Sequence, residues 1–198
     1  PQKGVWVRLP PSAQMAFFDL LRMIGHLLCG HVRLYQCYTA VNWRTCEACL
    51  SWHGRIVADP RDFPAHDGCA HEVLAFPIWR LGEHRRKGER MKAKAAEELN
   101  RRGKWRTATE LLQKDPASAL SLFEEAAKTD VYLEEVEKLA EEKAAWLREN
   151  AEVRAALREI FLRGWRGKFT KERYERQPEL ARTAQEQFGL ARIRELFP

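Results

Sequence analysis

Two pairs of metal-ligating residue types constrain the fold of this chain most. Each pair has two residues between its members, and sixteen residues separate the pairs. A two-residue spacing lets both side chains converge from one tight turn, and a gap of hairpin size brings two such pairs to one point. The sequence therefore predicts one structural zinc site, with the ligands Cys46, Cys49, His66 and Cys69.

Five residues are candidates for the four ligand positions of this site. His71 lies two residues beyond Cys69 and is a fifth candidate for four positions, either as a ligand or beside one. The alternative to a metal site is that Cys46 and Cys49 are small buried apolar residues and His66 a loop histidine. A redox role for the C-E-A-C run is less well supported, because no βαβ pattern surrounds it. Three further residues are interpreted as core or packing residues: Cys29, His31 and Cys37.

The rest of the sequence predicts a mainly α protein with a small β-hairpin zinc knuckle and a helical C-terminal half. A helix is predicted from Ser12 to about Tyr38, and short strands with turns between residues 39 and 77. That stretch is too short and polar to be held by burial alone, so a zinc staple would stabilise it. From Ile78 onward helical patterns dominate, and Asp115 followed by Pro116 predicts the capped start of one of these helices. We expect two parts, an N-terminal helix plus knuckle over 1–78 and a helical module over 79–198.

Charge is distributed unevenly along the helical part. Residues 78–114 hold 12 basic and 5 acidic groups, whereas residues 115–160 hold 6 and 12. A basic helix is predicted over residues 79–102, ending near Gly103, followed by a short helix around 105–113. Segments of opposite sign are typical of interaction surfaces, although helix faces that neutralise each other would give the same pattern.

No apolar run reaches the roughly 18–20 residues needed to cross a bilayer, and the first residues lack the pattern of a signal peptide. We therefore expect no membrane association. Five cysteines do not suggest a disulfide framework, which favours synthesis in a reducing cytoplasm.

The knuckle segment resembles a known family. The run Arg44-Thr45-Cys46-x-x-Cys49, then Gly54, then Pro64-x-His66-x-x-Cys69-x-His71 and a closing Pro77, is similar to the metal-binding end of phage head morphogenesis (minor head) proteins, of which the phage Mu F-like proteins are one branch. The family ends this pattern with C-R-C, where this chain has Cys69-Ala70-His71. The resemblance covers about 35 of the 198 residues and implies nothing about residues 78–198.

This resemblance implies a structural protein of a tailed-phage virion, made in the host cytoplasm and located near the portal vertex during head assembly. It implies structural zinc as the cofactor and portal, capsid or neck proteins as partners. We also expect a homo-oligomer, because broad contact surfaces serve an assembly protein better than a cleft.

Two other classes of function compete with this expectation. The basic stretch from Arg80 to Arg106 could contact phosphates, which would make the chain a zinc-stapled nucleic-acid-binding protein. Its strongest candidates are Arg85, Arg86, Lys87, Arg90 and Lys94. A zinc-containing nuclease is less well supported, because the paired histidines and the downstream Asn and His of such enzymes are missing. No nucleophile motif or phosphate-binding glycine loop is found, so we expect no catalytic activity.

Overall fold

The computed structural model describes residues 33–63, 71–169 and 179–198. The chain divides into two compact units, one made of residues 1–40 and 45–93 and one of residues 41–44 and 94–198. The protein is mainly α with a small antiparallel sheet and a helical C-terminal half, as the sequence predicts. Within the described part of the chain, no helix is long and apolar enough to cross a membrane.

The first unit is built on a three-stranded antiparallel sheet in the order β2-β1-β3. Strand β1 (Arg33–Thr39) pairs along its whole length with β3 (His71–Pro77), and its middle pairs with the short β2 (Ile56–Val57). Helix α1 (Glu47–Trp52) lies between β1 and β2 in the chain. Short 3₁₀ turns occupy Pro60–Asp62 and Ile78–Arg80.

Strand β1 corrects the predicted helix from Ser12 to Tyr38. Residues 33–39 form a strand, and the remainder of that prediction, up to residue 32, lies outside the described residues. Its sequence, R-L-Y-Q-C-Y-T, is rich in aromatic and β-branched residues, which fit a pleated surface. Seven paired positions with β3, from Arg33↔Pro77 to Thr39↔His71, outweigh the helical spacing of the apolar residues before it.

Helix α2 (Leu81–Leu111) belongs to both units. It corrects the predicted break near Gly103, because the helix continues through that residue and includes the region predicted as a separate helix. A glycine inside a helix costs only about 1 kcal/mol relative to alanine. Side chains on both sides of Gly103 are buried, among them Arg101 and Trp105, and their packing offsets that cost.

In the described part of the second unit, five more helices follow: α3 (Pro116–Thr129), α4 (Leu133–Glu142), α5 (Ala144–Glu149), α6 (Ala151–Lys168) and α7 (Glu179–Leu196). Asp115 caps α3 by accepting a hydrogen bond from the Ser118 amide at 3.2 Å, and Pro116 takes the first helical position, as predicted. The core contains a chain of aromatic contacts, with centroids 5.0–5.7 Å apart, through Trp105, Phe123, Phe161 and Phe197.

Candidate metal centre and basic helix

Cys46 and Cys49 form one turn at the start of helix α1. Cys46 is the N-cap residue, and its Sγ accepts a hydrogen bond from the backbone N–H of Cys49 at 3.3 Å. The two-residue spacing therefore places both cysteines in a single capped turn, which is the local geometry that the sequence predicts. A sulfur that accepts an N–H is stabilised as a thiolate, the form that binds metal.

The Cys49 side chain is fully buried, with 0% of its surface exposed. It packs in a small cluster with Cys37 and Phe63, against which Trp52 and Val57 also pack. Burial raises the pKa of the Cys37 thiol, although the nearby Arg55 guanidinium acts in the opposite direction. Cys37 therefore remains a neutral thiol, which agrees with its interpretation as a core residue.

His71 is the first residue of β3 and lies opposite Thr39 in the sheet register. Its imidazole packs against the Phe63 ring, with the two centroids 4.5 Å apart. This contact places His71 at the edge of the cluster that contains Cys49.

The other two predicted ligands, His66 and Cys69, lie outside the described residues. Among the residues that the structure does describe, no group of three or more His, Cys, Asp or Glu side chains is arranged to hold a metal ion. Cys46, Cys49 and His71 thus do not make such a group by themselves, and the four-ligand site stays a prediction.

His53 is a buried polar residue that the sequence does not single out as functional. Its Nδ1 accepts a hydrogen bond from the Thr39 backbone N–H at 3.1 Å, so its single neutral-state proton is on Nε2. An imidazole in that state cannot ligate a metal through Nε2. His53 instead connects the end of α1 to β1. The only sequence signal for its position is the glycine that follows it, which is typical of the residue after a helix end.

Gly54, which belongs to the knuckle pattern described above, occupies a position where the backbone conformation and a close contact both require glycine. Its φ of 81° lies in the left-handed region, and its N–H donates to the carbonyl oxygen of Cys37 at 2.8 Å. A Cβ at Gly54 would lie 2.5 Å from the Gly88 carbonyl oxygen, and one at Gly88 would lie 2.5 Å from the Gly54 carbonyl oxygen. Two glycines are therefore required where the α1–β2 turn meets helix α2.

A buried amide organises this junction. The Gln36 Nε2 donates to the carbonyl oxygens of Gly54 at 3.3 Å and His84 at 2.9 Å, while its Oε1 accepts from the Tyr38 hydroxyl at 3.0 Å. The same Oε1 lies 2.7 Å from the Nδ1 of His84, which therefore acts as a donor. The His84 ring stacks on Phe76 at 3.8 Å, and burial lowers the pKa of His84.

The predicted nucleic-acid-binding residues all lie on helix α2 and are all exposed: Arg85, Arg86, Lys87, Arg90 and Lys94. The Nζ of Lys87 lies 4.8 Å from the centre of the Tyr38 ring. Two neighbouring cations are already paired, since Arg80 contacts Glu83 and Lys92 contacts Glu89, each at 2.8 Å.

Farther along the same helix, the predicted basic stretch is wrong at Arg101. This side chain is 1% exposed. It contacts Glu98 at 2.8 Å and Glu135 at 2.7 Å, and its guanidinium lies over the Tyr132 ring at 4.7 Å. Burial opposes its charge, but hydrogen bonds to the two glutamates raise the pKa of Arg101 above its ordinary value. It therefore holds α2 to α4 and is not available to phosphates.

Comparisons of the chain with protein families, with curated proteins and with solved structures find no match in any of the three. The resemblance to phage head morphogenesis proteins therefore stays a prediction based on the knuckle segment.

Proposed function

We propose that this protein is a structural component of a tailed-phage virion that acts near the portal vertex during head assembly, and that zinc holds its first unit together. The observation that carries the proposal is the Cys46–Cys49 turn: one cysteine caps α1, the other is fully buried, and an N–H···S hydrogen bond joins them. Two cysteines in such a turn suit a shared metal ion, and the surrounding residues are those of the head-protein pattern.

The ligand set that we propose is Cys46, Cys49, His66 and Cys69. We assign the fourth place to Cys69 rather than His71 because the His71 ring packs against Phe63. The donor chemistry suits zinc, since thiolates and imidazole are its preferred ligands.

Such a site is structural and not catalytic. Four protein ligands leave no coordination position for a substrate or an activated water. Among the described residues, the cluster beside the knuckle has Cys37, Cys49 and Phe63 as its buried members. A zinc ion bound next to this cluster would add its binding free energy to the stability of the first unit.

The charge distribution supports a role in assembly. The segment 78–114 has a net charge of +7 and the segment 115–160 a net charge of −6. Some of these charges pair within the chain, as Arg101 does with Glu135 and Lys104 with Glu125. The exposed remainder favours association with portal, capsid or neck proteins and between copies of the chain. We therefore propose a homo-oligomer.

The test compares the unmodified chain with Cys46→Ser and with Cys37→Ala as the matched control. We expect about one zinc per chain, lost in Cys46→Ser and retained in Cys37→Ala. Because the second unit has its own core, Cys46→Ser should keep most of its helical circular dichroism while protease cleaves it between residues 39 and 77. Equal zinc content in Cys46→Ser and the unmodified chain would contradict the metal site.

The assembly role is tested separately by native mass spectrometry and electron microscopy of the zinc-loaded chain. A ring-sized oligomer, or stable binding to a purified portal protein, is the expected result. A zinc-loaded chain that stays monomeric and binds neither portal nor capsid protein would contradict the virion role while leaving the metal site intact.

A further inference from the structure

The N-terminal part of helix α2 carries an excess of unpaired positive charge. Residues 80–94 contain seven Lys or Arg and two Glu. Both glutamates already have partners, Glu83 in Arg80 and Glu89 in Lys92. The remaining cations are exposed and have no carboxylate within ion-pair distance among the described residues, leaving a positive surface that its own unit does not neutralise.

Three of these cations lie on one side of the helix and are here called the basic triad: Arg86, Lys87 and Arg90. Arg90 lies one turn beyond both of the others, and the three positions fall within a sector of about 100° around the helix axis. Neighbours at three and four positions apart are close enough to contact the same row of anions.

The opposite side of this helix segment is fixed to the first unit. Gly88 meets the backbone of Gly54, and Met91 is buried. His84 stacks on Phe76 and contacts Gln36. Because that side is packed, the basic triad points toward solvent on a rigid helix, and the contact of Lys87 with the Tyr38 ring restricts one of its members further. Little ordering of backbone would be required to bind a polyanion.

We propose that the basic triad binds the phosphate backbone of double-stranded DNA without sequence preference. Three cations clustered on one exposed helix face suit the dense negative charge of a duplex, which carries one charge per roughly 1.7 Å of axis. Residues 81–93 contain no Phe, Tyr or Trp. Single-stranded nucleic acid is usually held by stacking on aromatic side chains, and protein partners by aromatic or apolar anchors, so both are less suited to this surface.

This inference goes beyond the proposed virion role and does not depend on it. It also corrects the extent of the predicted basic stretch, because Arg101 belongs to a buried ion-pair network and only the part before it is available. DNA contact is assigned to the first three turns of α2.

The experiment measures fluorescence anisotropy of a labelled 20-base-pair duplex with the full-length protein between about 25 and 200 mM KCl. The test variant is R86Q/K87Q/R90Q. The matched control removes the same charge from exposed positions of the second unit, R148Q/R166Q/R194Q. Circular dichroism and zinc content check that both variants remain folded.

We expect the unmodified chain to bind with a dissociation constant in the range of about 1–100 µM near physiological salt, and more tightly at low salt. The triad variant should bind at least tenfold more weakly, and its slope of log K against log salt should be shallower by about 2 to 3. The control variant should keep the slope of the unmodified chain. R86K/R90K, which keeps the charge, should bind as the unmodified chain does.

Four results would overturn the proposal. They are no binding by the unmodified chain at low salt, unchanged binding by the triad variant, equal loss in the control variant, and tighter binding to single-stranded DNA than to the duplex. Displacement of the duplex by poly-L-glutamate as effectively as by unlabelled duplex of equal charge would also overturn it, in favour of an acidic protein partner.

Discussion

At the residue scale, the first unit depends on a glycine that the knuckle pattern contains. Gly54 combines a left-handed backbone with a close approach to Gly88. A side chain there would have to overcome an unfavourable φ, which costs roughly 1–2 kcal/mol, and a backbone carbonyl that cannot move without bending helix α2. The same residue accepts a hydrogen bond from Gln36, so its displacement would also disturb a buried amide.

We therefore expect Gly54→Ala to lower the free energy of unfolding of the first unit by more than about 2 kcal/mol. The matched control is Gly103→Ala, because a Cβ at Gly103 would meet nothing within 4 Å and the residue is inside a helix. That change should raise stability by about 0.5–1 kcal/mol. Denaturant unfolding, followed with a probe in each unit, measures both. Equal stability of Gly54→Ala and the unmodified chain would contradict the close approach.

At the element scale, α2 and α4 are joined by charges that are almost completely buried. Glu98 is 3% exposed and contacts both Arg101 and Arg102 at 2.8 Å. Burial acts to raise the pKa of Glu98, but the hydrogen bonds from the two guanidinium groups lower it below its ordinary value. The Arg101 guanidinium also forms an ion pair with Glu135 on α4, at 2.7 Å. Removing one partner leaves another charge buried without compensation, which makes this network costly to disturb.

Glu98 contributes to the pH dependence of stability through that lowered pKa, whereas burial raises the pKa of Glu135 in the same network and acts in the opposite direction. A carboxyl group with a depressed pKa in the folded state stabilises the fold above its unfolded-state pKa of about 4.3. The contribution is lost as pH falls through the lower folded-state value. We expect the second unit to lose stability below about pH 4.3, and Glu98→Gln to be about 2 kcal/mol less stable at pH 7 with a weaker dependence on acid.

Denaturant midpoints between pH 3 and 7 measure this effect. Glu124→Gln is the control, because Glu124 forms an ion pair with Arg163 in which both side chains are largely exposed. That variant should keep the acid dependence of the unmodified chain. If Glu98→Gln and Glu124→Gln lose stability in parallel with the unmodified chain below pH 4.3, Glu98 does not carry the effect.

Elements whose signals are local could be predicted from the sequence, and those fixed by distant partners could not. Asp115 and Pro116 define the start of α3 within two residues, and the Asp115 cap forms as expected. The helix predicted to Tyr38 was wrong because the partner of β1, strand β3, begins 32 residues after β1 ends. The helix end predicted near Gly103 was wrong because the packing around Trp105 is not visible in the local pattern.

At the scale of the whole molecule, the described residues of each unit contain a buried apolar cluster. The second unit has an extended core of aromatic and aliphatic side chains. The core beside the knuckle in the first unit is small, and its central side chains include the buried Cys49. Burial of apolar surface stabilises both clusters, and we propose that a zinc ion adds to the stability of the first unit.

The candidate site was predictable only where its signals are local in the sequence. The spacing of Cys46 and Cys49 encodes a capped turn, which the structure contains. The buried roles of His53 and Gln36 were not predictable, because each depends on a backbone group brought near by the sheet. Whether His66 and Cys69 complete the site stays a prediction, since both lie outside the described residues.

X-ray absorption at the zinc edge of the purified full-length chain tests the metal site most directly. We predict a four-coordinate ion with three sulfur ligands at about 2.3 Å and one nitrogen ligand at about 2.0–2.1 Å, supplied by Cys46, Cys49, Cys69 and His66. A zinc ion bound only through nitrogen and oxygen, or a folded chain that contains no zinc, would contradict the central claim.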